Sequence, residues 1–275
     1  MNLGKVSGWH VAFLTFAVLL LAVPANNMIA AWLELDAGWR KIWGRLLPAV
    51  VLGAVVSIAY WRDRSWLQSM LGPLPDSRRS EVFWASVASV AIPFAVAGGF
   101  ALWIWVMEGG ASLEQRLSTT RFHDNSERSS FSPEGILLFL LLGPLLAPIV
   151  EEIIFRGVLF RAWAERWGWL AAMVLTSLLF AAYHRSFLTC LLSSVVFVCL
   201  YSRTGTLRAP MIAHGVSNLA LFYPLTGQFV YPRPEEAIGD ITTWWLQLAS
   251  LVLIVIAVPA YVFLSSQSRI KEPVT

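Results

Sequence analysis

Long apolar stretches divide this chain and constrain its fold more than any other feature of the sequence. A scan with windows of about 19 residues, the usual length for finding membrane helices, identifies eight of them. A segment in lipid must satisfy its own backbone polar groups, and a helix needs about 20 residues to cross the hydrocarbon core. We therefore predict an all-α, polytopic transmembrane bundle of about eight helices, with spans near residues 9–32, 42–60, 82–106, 135–155, 167–184, 187–201, 207–223 and 242–264.

The composition excludes a soluble domain of this length. Hydrophobic residues make up 57% of the 275 residues, charged residues only 13%, and the mean hydropathy is +0.64. The two polar loops, 61–81 and 107–134, do not resemble a domain, so we predict one integral membrane domain over residues 1–275 in contact with the lipid bilayer. The sequence contains no long block of like charges, which argues against a nucleic-acid partner.

The basic residues predict how the chain is oriented. With the eight spans above, the loops and tails on the N-terminal side carry 11 Lys and Arg residues, and those on the other side carry 8. Because cytoplasmic loops carry the excess, both termini are predicted to be cytoplasmic. We interpret the first apolar stretch as an uncleaved span, since it continues beyond Pro24. The compact, multi-pass pattern favours a bacterial inner membrane.

Three charges interrupt the fourth apolar stretch, in the sequence Glu151-Glu152-Ile-Ile-Phe-Arg156-Gly157. An ionisable side chain at membrane depth costs several kcal/mol unless it is paired or lines a wet cavity, so a functional site is the default interpretation. Glu152 and Arg156 are four residues apart and share a helix face, whereas Glu151 projects about 100° away. We expect an ion pair between Glu152 and Arg156, and Glu151 facing a polar cavity inside the bundle as a general base.

Two further polar positions follow downstream. His184 comes four residues after Phe180, near the predicted end of a span, where an imidazole could accept or donate a proton. His214 and Asn218 are also four residues apart, so they project from one helix face and could offer two hydrogen-bond donors to one oxygen. Structural roles remain open for each position: a buried ion-pair cluster, an interfacial histidine and a helix-packing asparagine.

Other catalytic classes lack their characteristic residues. The sequence has no GxSxG for a serine protease and no HExxH for a metalloprotease. An aspartyl membrane protease needs aspartates within its spans, whereas all five aspartates here fall in loops or at span ends. Cys190 and Cys199 are nine residues apart in one apolar stretch, without CxxC spacing, and we expect both to pack in the core. His10 and His123 receive no role.

The three motifs, in this order, resemble those of the CPBP intramembrane endopeptidases, which include CAAX prenyl proteases and bacteriocin-processing enzymes. The resemblance covers about residues 135–222, the predicted catalytic core. It implies that Glu151, helped by His184, activates a water molecule for peptide-bond hydrolysis. It further implies that His214 and Asn218 hold the oxyanion, and that Glu152 and Arg156 orient and tune the base.

The resemblance also implies a membrane-associated protein or peptide as substrate: a lipidated tail, a C-terminal sorting signal or a bacteriocin-type peptide. We expect no cofactor, because carboxylate and imidazole supply base and acid; zinc is the alternative, since one Glu and two His are plausible ligands. Two other functions remain open. The buried charges could be the relay of a transporter or proton-coupled channel, or the chain could be a non-catalytic membrane scaffold.

Overall fold

The computed structural model describes residues 28–29, 31–33, 53–54, 68–110, 137, 141–184, 186–222 and 241–267. Within these ranges the chain forms seven α-helices and no strand. The predicted spans 9–32 and 42–60 lie outside the described residues except for isolated positions, as does most of the polar segment 107–134. The prediction of an all-α membrane bundle is confirmed, with fewer described helices than the eight expected.

The helices are numbered in chain order. They are α1 (Arg79–Glu108), α2 (Ala147–Glu152), α3 (Arg161–Trp167), α4 (Trp169–Tyr183), α5 (Phe187–Thr204), α6 (Arg208–Phe222) and α7 (Ile241–Ser266). A short 3-10 turn, Asp76–Arg78, precedes α1. Two π-helical segments, π1 (Leu141–Leu146) and π2 (Ile153–Phe160), join α2 and α3 into one continuous helical segment over 141–167. π-Helical turns are rare and often occur at functional sites.

Among the described residues, three helical segments are long and apolar enough to cross a membrane: Asp76–Glu108, Phe187–Thr204 and Leu248–Ser266. Helix α4 is equally apolar but shorter. Large hydrophobic side chains remain exposed along α1 and α7, among them Phe100, Trp103, Val255 and Ile256. Such surfaces are stable against lipid rather than water, so the chain is an integral membrane protein.

The predicted span 135–155 is too short at its C-terminal end. The helical segment continues to Trp167 and ends at Gly168, whose φ of 84° lies in the left-handed region that favours glycine. The apolar window ended early because Arg156 lowered its hydropathy. In the fold this arginine is completely buried beside a carboxylate, so the charge does not end the helix.

Helix α5 lies between the two hydrophobic cores of the bundle. On one side it packs against α4 and the 141–167 segment, around buried side chains such as Phe155, Leu159 and Phe160. On the other side it packs against α1, α6 and α7, around Ile92 and Leu200. This central position brings α5 side chains next to all three sequence motifs.

Candidate active site

The buried ion pair forms as the spacing predicts. Arg156 Nη1 donates to Glu152 Oε1 at 2.9 Å, and both side chains are 0% exposed. Arg156 Nη2 also donates to the main-chain oxygen and the hydroxyl of Ser194, at 3.1 and 2.6 Å. The guanidinium carbon lies 4.9 Å from the ring centre of Phe180 and 5.5 Å from that of Phe197. Hydrogen bonds and aromatic faces therefore fix this cation from several sides.

His214 of α6 binds the same carboxylate. Its Nδ1 lies 2.9 Å from Glu152 Oε1, a distance at which the ring N–H donates to the carboxylate. The imidazole stacks on Phe197, with ring centres 4.9 Å apart, and meets Phe180 edge to face. Glu152 thus orients His214 as well as Arg156, in the way that a carboxylate orients a catalytic imidazole. The second ring nitrogen, Nε2, is left to face Glu151.

Glu151 lies between two imidazoles. Its Oε2 atom is 3.7 Å from His214 Nε2 and 3.9 Å from His184 Nε2. Both distances are too long for direct hydrogen bonds but suit a single bridging oxygen atom. This Oε2 atom is buried without a hydrogen-bond partner among the described residues. A water or substrate oxygen held there would contact one carboxylate and two ring nitrogens, which is the environment required for proton transfer.

His184 is hydrogen-bonded through one ring nitrogen, Nδ1, and lies near Glu151 through the other, Nε2. It is the residue that follows α4, and its Nδ1 lies 2.7 Å from the main-chain oxygen of Phe180. A carbonyl oxygen only accepts, so Nδ1 carries the proton, and in the neutral ring Nε2 has the free electron pair. Its side chain is 27% exposed, compared with 5% for His214. His184 is therefore the most accessible member of this group.

Asn218 lies one turn after His214 on α6, as predicted, but its hydrogen bond holds the helix in place. Its Nδ2 donates to the main-chain oxygen of Gly143 in π1, at 3.0 Å. The predicted pairing of Asn218 with His214 around one oxygen remains a prediction. The sequence did not indicate this contact, because a π-helical turn with a carbonyl directed at another helix leaves no clear residue pattern.

Gly215 permits the close approach of α6 to π1. A Cβ atom at this position would lie 2.8 Å from the main-chain oxygen of Pro144, a distance that real side chains do not tolerate. The glycine comes directly after His214, so any displacement of α6 moves the imidazole as well.

We expect Gly215→Ala to lower the peptide hydrolysis that the motifs imply by about tenfold or more, because a shift of about 1 Å near a reacting group costs up to ~100-fold. Gly99→Ala in α1 is the matched control: its Cβ would meet a Leu251 side-chain atom at an ordinary 3.6 Å. Alanine is the better helix former at both sites, by about 1 kcal/mol. The measurement is the initial rate of peptide cleavage. Equal rates for both variants would show that the approach to Pro144 does not matter.

Sequence reasoning missed Ser194 and Phe197, the two α5 side chains that complete the site. Both are uncharged residues in an apolar helix, and Ser194 lies 38 residues from Arg156 along the chain. The only signal was the small polar pair Ser193-Ser194 in the middle of a span, which is more often a helix-packing feature.

We expect Ser194→Ala to lower activity about tenfold, because a hydrogen bond to a charged group contributes about 1.5–3 kcal/mol to its placement. Ser193→Ala, the adjacent buried residue without a hydrogen bond to Arg156, should retain the wild-type rate. Ser194→Thr keeps the hydroxyl and should recover part of the activity. If the Ser193 and Ser194 alanine variants cleave equally well, the hydroxyl has no positioning role.

Zinc stays the alternative to a metal-free site. Glu151, His184 and His214 have suitable donor atoms, but the described part of the chain has no group of three or more His, Cys, Asp or Glu side chains placed to hold a metal ion. Glu152 is already bound by Arg156 and His214. A metal-free reaction needs only the side chains of this chain, and treatment with a chelator distinguishes it from a zinc-dependent one.

Comparison with known proteins points to the same region of the chain. Residues 133–220 match the family model described as type II CAAX prenyl endopeptidase Rce1-like. No solved structure matches the chain.

Three curated bacterial proteins are also similar. "Putative membrane peptidase YdiL" of Bacillus subtilis is 31% identical over 88 residues, which are 31% of this chain and 36% of YdiL. An "Uncharacterized 24.3 kDa protein" of Escherichia coli is 30% identical over 142 residues, 46% of this chain and 60% of the relative. "UPF0177 protein YbdI" of Lactococcus lactis is 31% identical over 99 residues, 34% and 52% of the two chains. The chain thus spans between about a third and three-fifths of these relatives.

Proposed function

We propose that the protein is an intramembrane peptidase in which Glu151 is the general base. The match of residues 133–220 to the Rce1-like CAAX endopeptidase family model supports this proposal. The observation that carries the proposal is the position of Glu151 Oε2, within 3.9 Å of both His184 Nε2 and His214 Nε2. Glu152, by contrast, is held by Arg156 and His214. The two adjacent glutamates therefore have different roles.

In the proposed reaction, a water molecule beside Glu151 gives a proton to the carboxylate while its oxygen attacks the peptide carbonyl carbon. The resulting oxyanion receives hydrogen bonds from the α6 side, where His214 donates from Nε2 when its ring carries both protons and Asn218 offers its remaining N–H. The C–N bond then breaks. The proton taken up by Glu151 passes to the leaving amine, directly or through His184. The products are a carboxylic acid, which keeps the second hydrogen of the water, and an amine; at neutral pH that hydrogen passes on, which leaves a carboxylate and an ammonium group.

The hydrogen bonds and aromatic contacts around the site hold its charged side chains in fixed positions. Arg156 is tied to Glu152, Ser194 and the aromatic rings, so the charges are arranged before substrate enters. Preorganised groups need little energy to reorient during the reaction. This electrostatic preorganisation is the largest contribution to the rate in many enzymes. We propose that the catalytic core extends over about residues 135–222 of a single membrane domain.

The substrate is proposed to be a protein or peptide segment presented at the membrane, and the location a bacterial inner membrane. A buried site in an integral membrane protein favours a substrate that reaches it from the bilayer or its surface. A lipidated tail, a C-terminal sorting signal and a bacteriocin-type peptide all meet this requirement.

Reconstitution into liposomes with a quenched-fluorescence membrane peptide tests the proposal. We expect cleavage, identified by fragment masses, that persists after treatment with a strong chelator. Loss of cleavage on chelation and its recovery with zinc would replace the metal-free mechanism by a metal-dependent one. Movement of peptide across the membrane without any fragment would favour a transporter, and neither fragment nor movement would favour a scaffold.

A further inference from the structure

The arginines of the described residues lie at one end of the bundle, apart from the buried Arg156. They occupy the start of α1, the helix α3, the end of α5 and the start of α6, and we call this set the basic end: Arg78, Arg79, Arg161, Arg166, Arg203 and Arg208. No lysine occurs in the described ranges. The described helix termini at the opposite end carry no Lys or Arg.

Direct contacts hold the elements of the basic end together. Arg203 Nε and Nη2 bind both oxygens of Glu81 in α1 at 2.9 and 3.0 Å. The Trp169 ring donates to the Ser202 hydroxyl at 2.7 Å, which ties the start of α4 to the end of α5. The backbone N–H of Leu207 donates to Met70 at 2.9 Å. These contacts establish that the arginine-bearing helix ends face the same side.

The candidate active site is exposed towards the end of the bundle opposite to the basic end. His184, its most exposed residue, directly follows α4 and lies 15 residues beyond Trp169, about 22 Å away at the helical rise of about 1.5 Å per residue. Glu151 is ten residues from Arg161 and His214 is six residues from Arg208, so both lie at mid-depth in the bundle. The partly exposed imidazole of His184 marks the side on which the site opens. Asn218 and Gly143, which close the site between α6 and π1, belong to the half of each element farther from the basic end.

Cytoplasmic ends of membrane helices carry the excess of Lys and Arg. We infer that the basic end is cytoplasmic and that the site opens towards the extracytoplasmic half of the membrane. The sequence from residue 76 onward has the same charge bias. Eight Lys and Arg residues lie in sequence segments that flank the basic-end helix termini, and five lie in segments that flank the opposite termini. This inference deepens the proposed function and rests on it.

The consequence is a narrower substrate class. A peptidase that opens to the extracytoplasmic side acts on polypeptide that has already crossed or spans the membrane, such as the tail of an exported protein. It does not act on a lipidated C-terminus that remains in the cytoplasm. The scissile bond would lie near the outer surface, within reach of His184.

Sidedness of cleavage tests this assignment with the wild-type protein. A charged, membrane-impermeant quenched peptide is added to right-side-out vesicles, to inverted vesicles and to detergent-solubilised membranes from the same cells. We expect right-side-out vesicles to cleave roughly tenfold faster than inverted ones, in line with the orientation that the arginines specify. Faster cleavage by inverted vesicles would overturn the assignment. Absence of cleavage even in detergent would refute the peptidase proposal instead.

Single-cysteine labelling decides the orientation independently of activity. Cys190 and Cys199 are the only cysteines, so both are replaced by alanine, and one cysteine is introduced at exposed Ser186 or exposed Glu165. A membrane-impermeant maleimide applied to intact spheroplasts should label Ser186→Cys and should label Glu165→Cys only after permeabilisation. The reverse pattern would place the site on the cytoplasmic side. Glu165→Cys leaves every arginine in place, so the substitution does not remove the charge that sets the orientation.

Discussion

Glu151→Gln should reduce peptide hydrolysis by a factor of about 10²–10⁴, the usual contribution of a general base. Glutamine has the size of glutamate and can still hydrogen-bond to a water molecule, but it cannot take the proton. The side chain is nearly buried, and its Oε2 lies 3.7 and 3.9 Å from two imidazole nitrogens without a hydrogen-bond partner in the described structure, so the exchange breaks no hydrogen bond of that atom. We therefore expect the purified variant to unfold at nearly the wild-type temperature.

Glu165→Gln is the matched control for this variant. Glu165 lies on the same continuous helical segment, in α3, but is exposed at the basic end. Its replacement should leave the cleavage rate unchanged. Comparable rates for Glu151→Gln and wild type would remove Glu151 from the mechanism, whereas loss of both activity and folded protein would assign it a structural role.

Arg156→Met should destabilise the protein by about 3–5 kcal/mol, because it leaves the fully buried Glu152 without its cation. The substitution also removes the hydrogen bonds to Ser194 and the contacts with the phenylalanine rings. Thermal unfolding in detergent measures the effect as a lower midpoint temperature. Arg166→Met, an exposed arginine ten residues farther along the same helical segment, should change the midpoint little.

The double variant Arg156→Met with Glu152→Gln separates the charge effect from the loss of packing. Neutralising Glu152 removes the unpaired buried charge, so part of the lost stability should return. Activity should not return, because His214 then lacks the carboxylate that orients it. A single variant as stable as wild type would mean that the pair contributes nothing to the fold. A double variant less stable than Arg156→Met would mean that the unpaired charge is not the cause.

Hydropathy alone predicted the described helices and most of their ends, since apolar length is the main requirement for a membrane span. The Glu152–Arg156 pair followed from helical periodicity, which places residues four apart on one face. The early end assigned to the fourth span shows the limit of this reasoning. A hydropathy window treats Arg156 as exposed to lipid, whereas the fold buries it beside a carboxylate and surrounds it with aromatic rings.

The sequence did not reveal how the motifs meet. His214 and Asn218 share one face of α6, as their spacing predicts, but the spacing did not indicate their contacts with other elements: His214 with Glu152 of α2 and Asn218 with Gly143 of π1. The contact of Ser194 with Arg156 could not be predicted for a similar reason, because nothing near Ser194 in the chain indicates that Arg156 will lie against it. Contacts between helices depend on their rotation and depth, and local patterns do not specify either.

The role of Glu151 is tested most directly by cleavage in water enriched in oxygen-18, followed by mass spectrometry of both the fragments and the enzyme. If Glu151 activates water, the new C-terminal carboxyl of the wild-type fragment gains one oxygen-18 atom, and after many turnovers the Glu151 side chain contains none. Glu151→Gln should yield almost no labelled fragment in the same time. Oxygen-18 in the Glu151 carboxylate, or labelled fragment formed by Glu151→Gln at the wild-type rate, would contradict its assignment as general base.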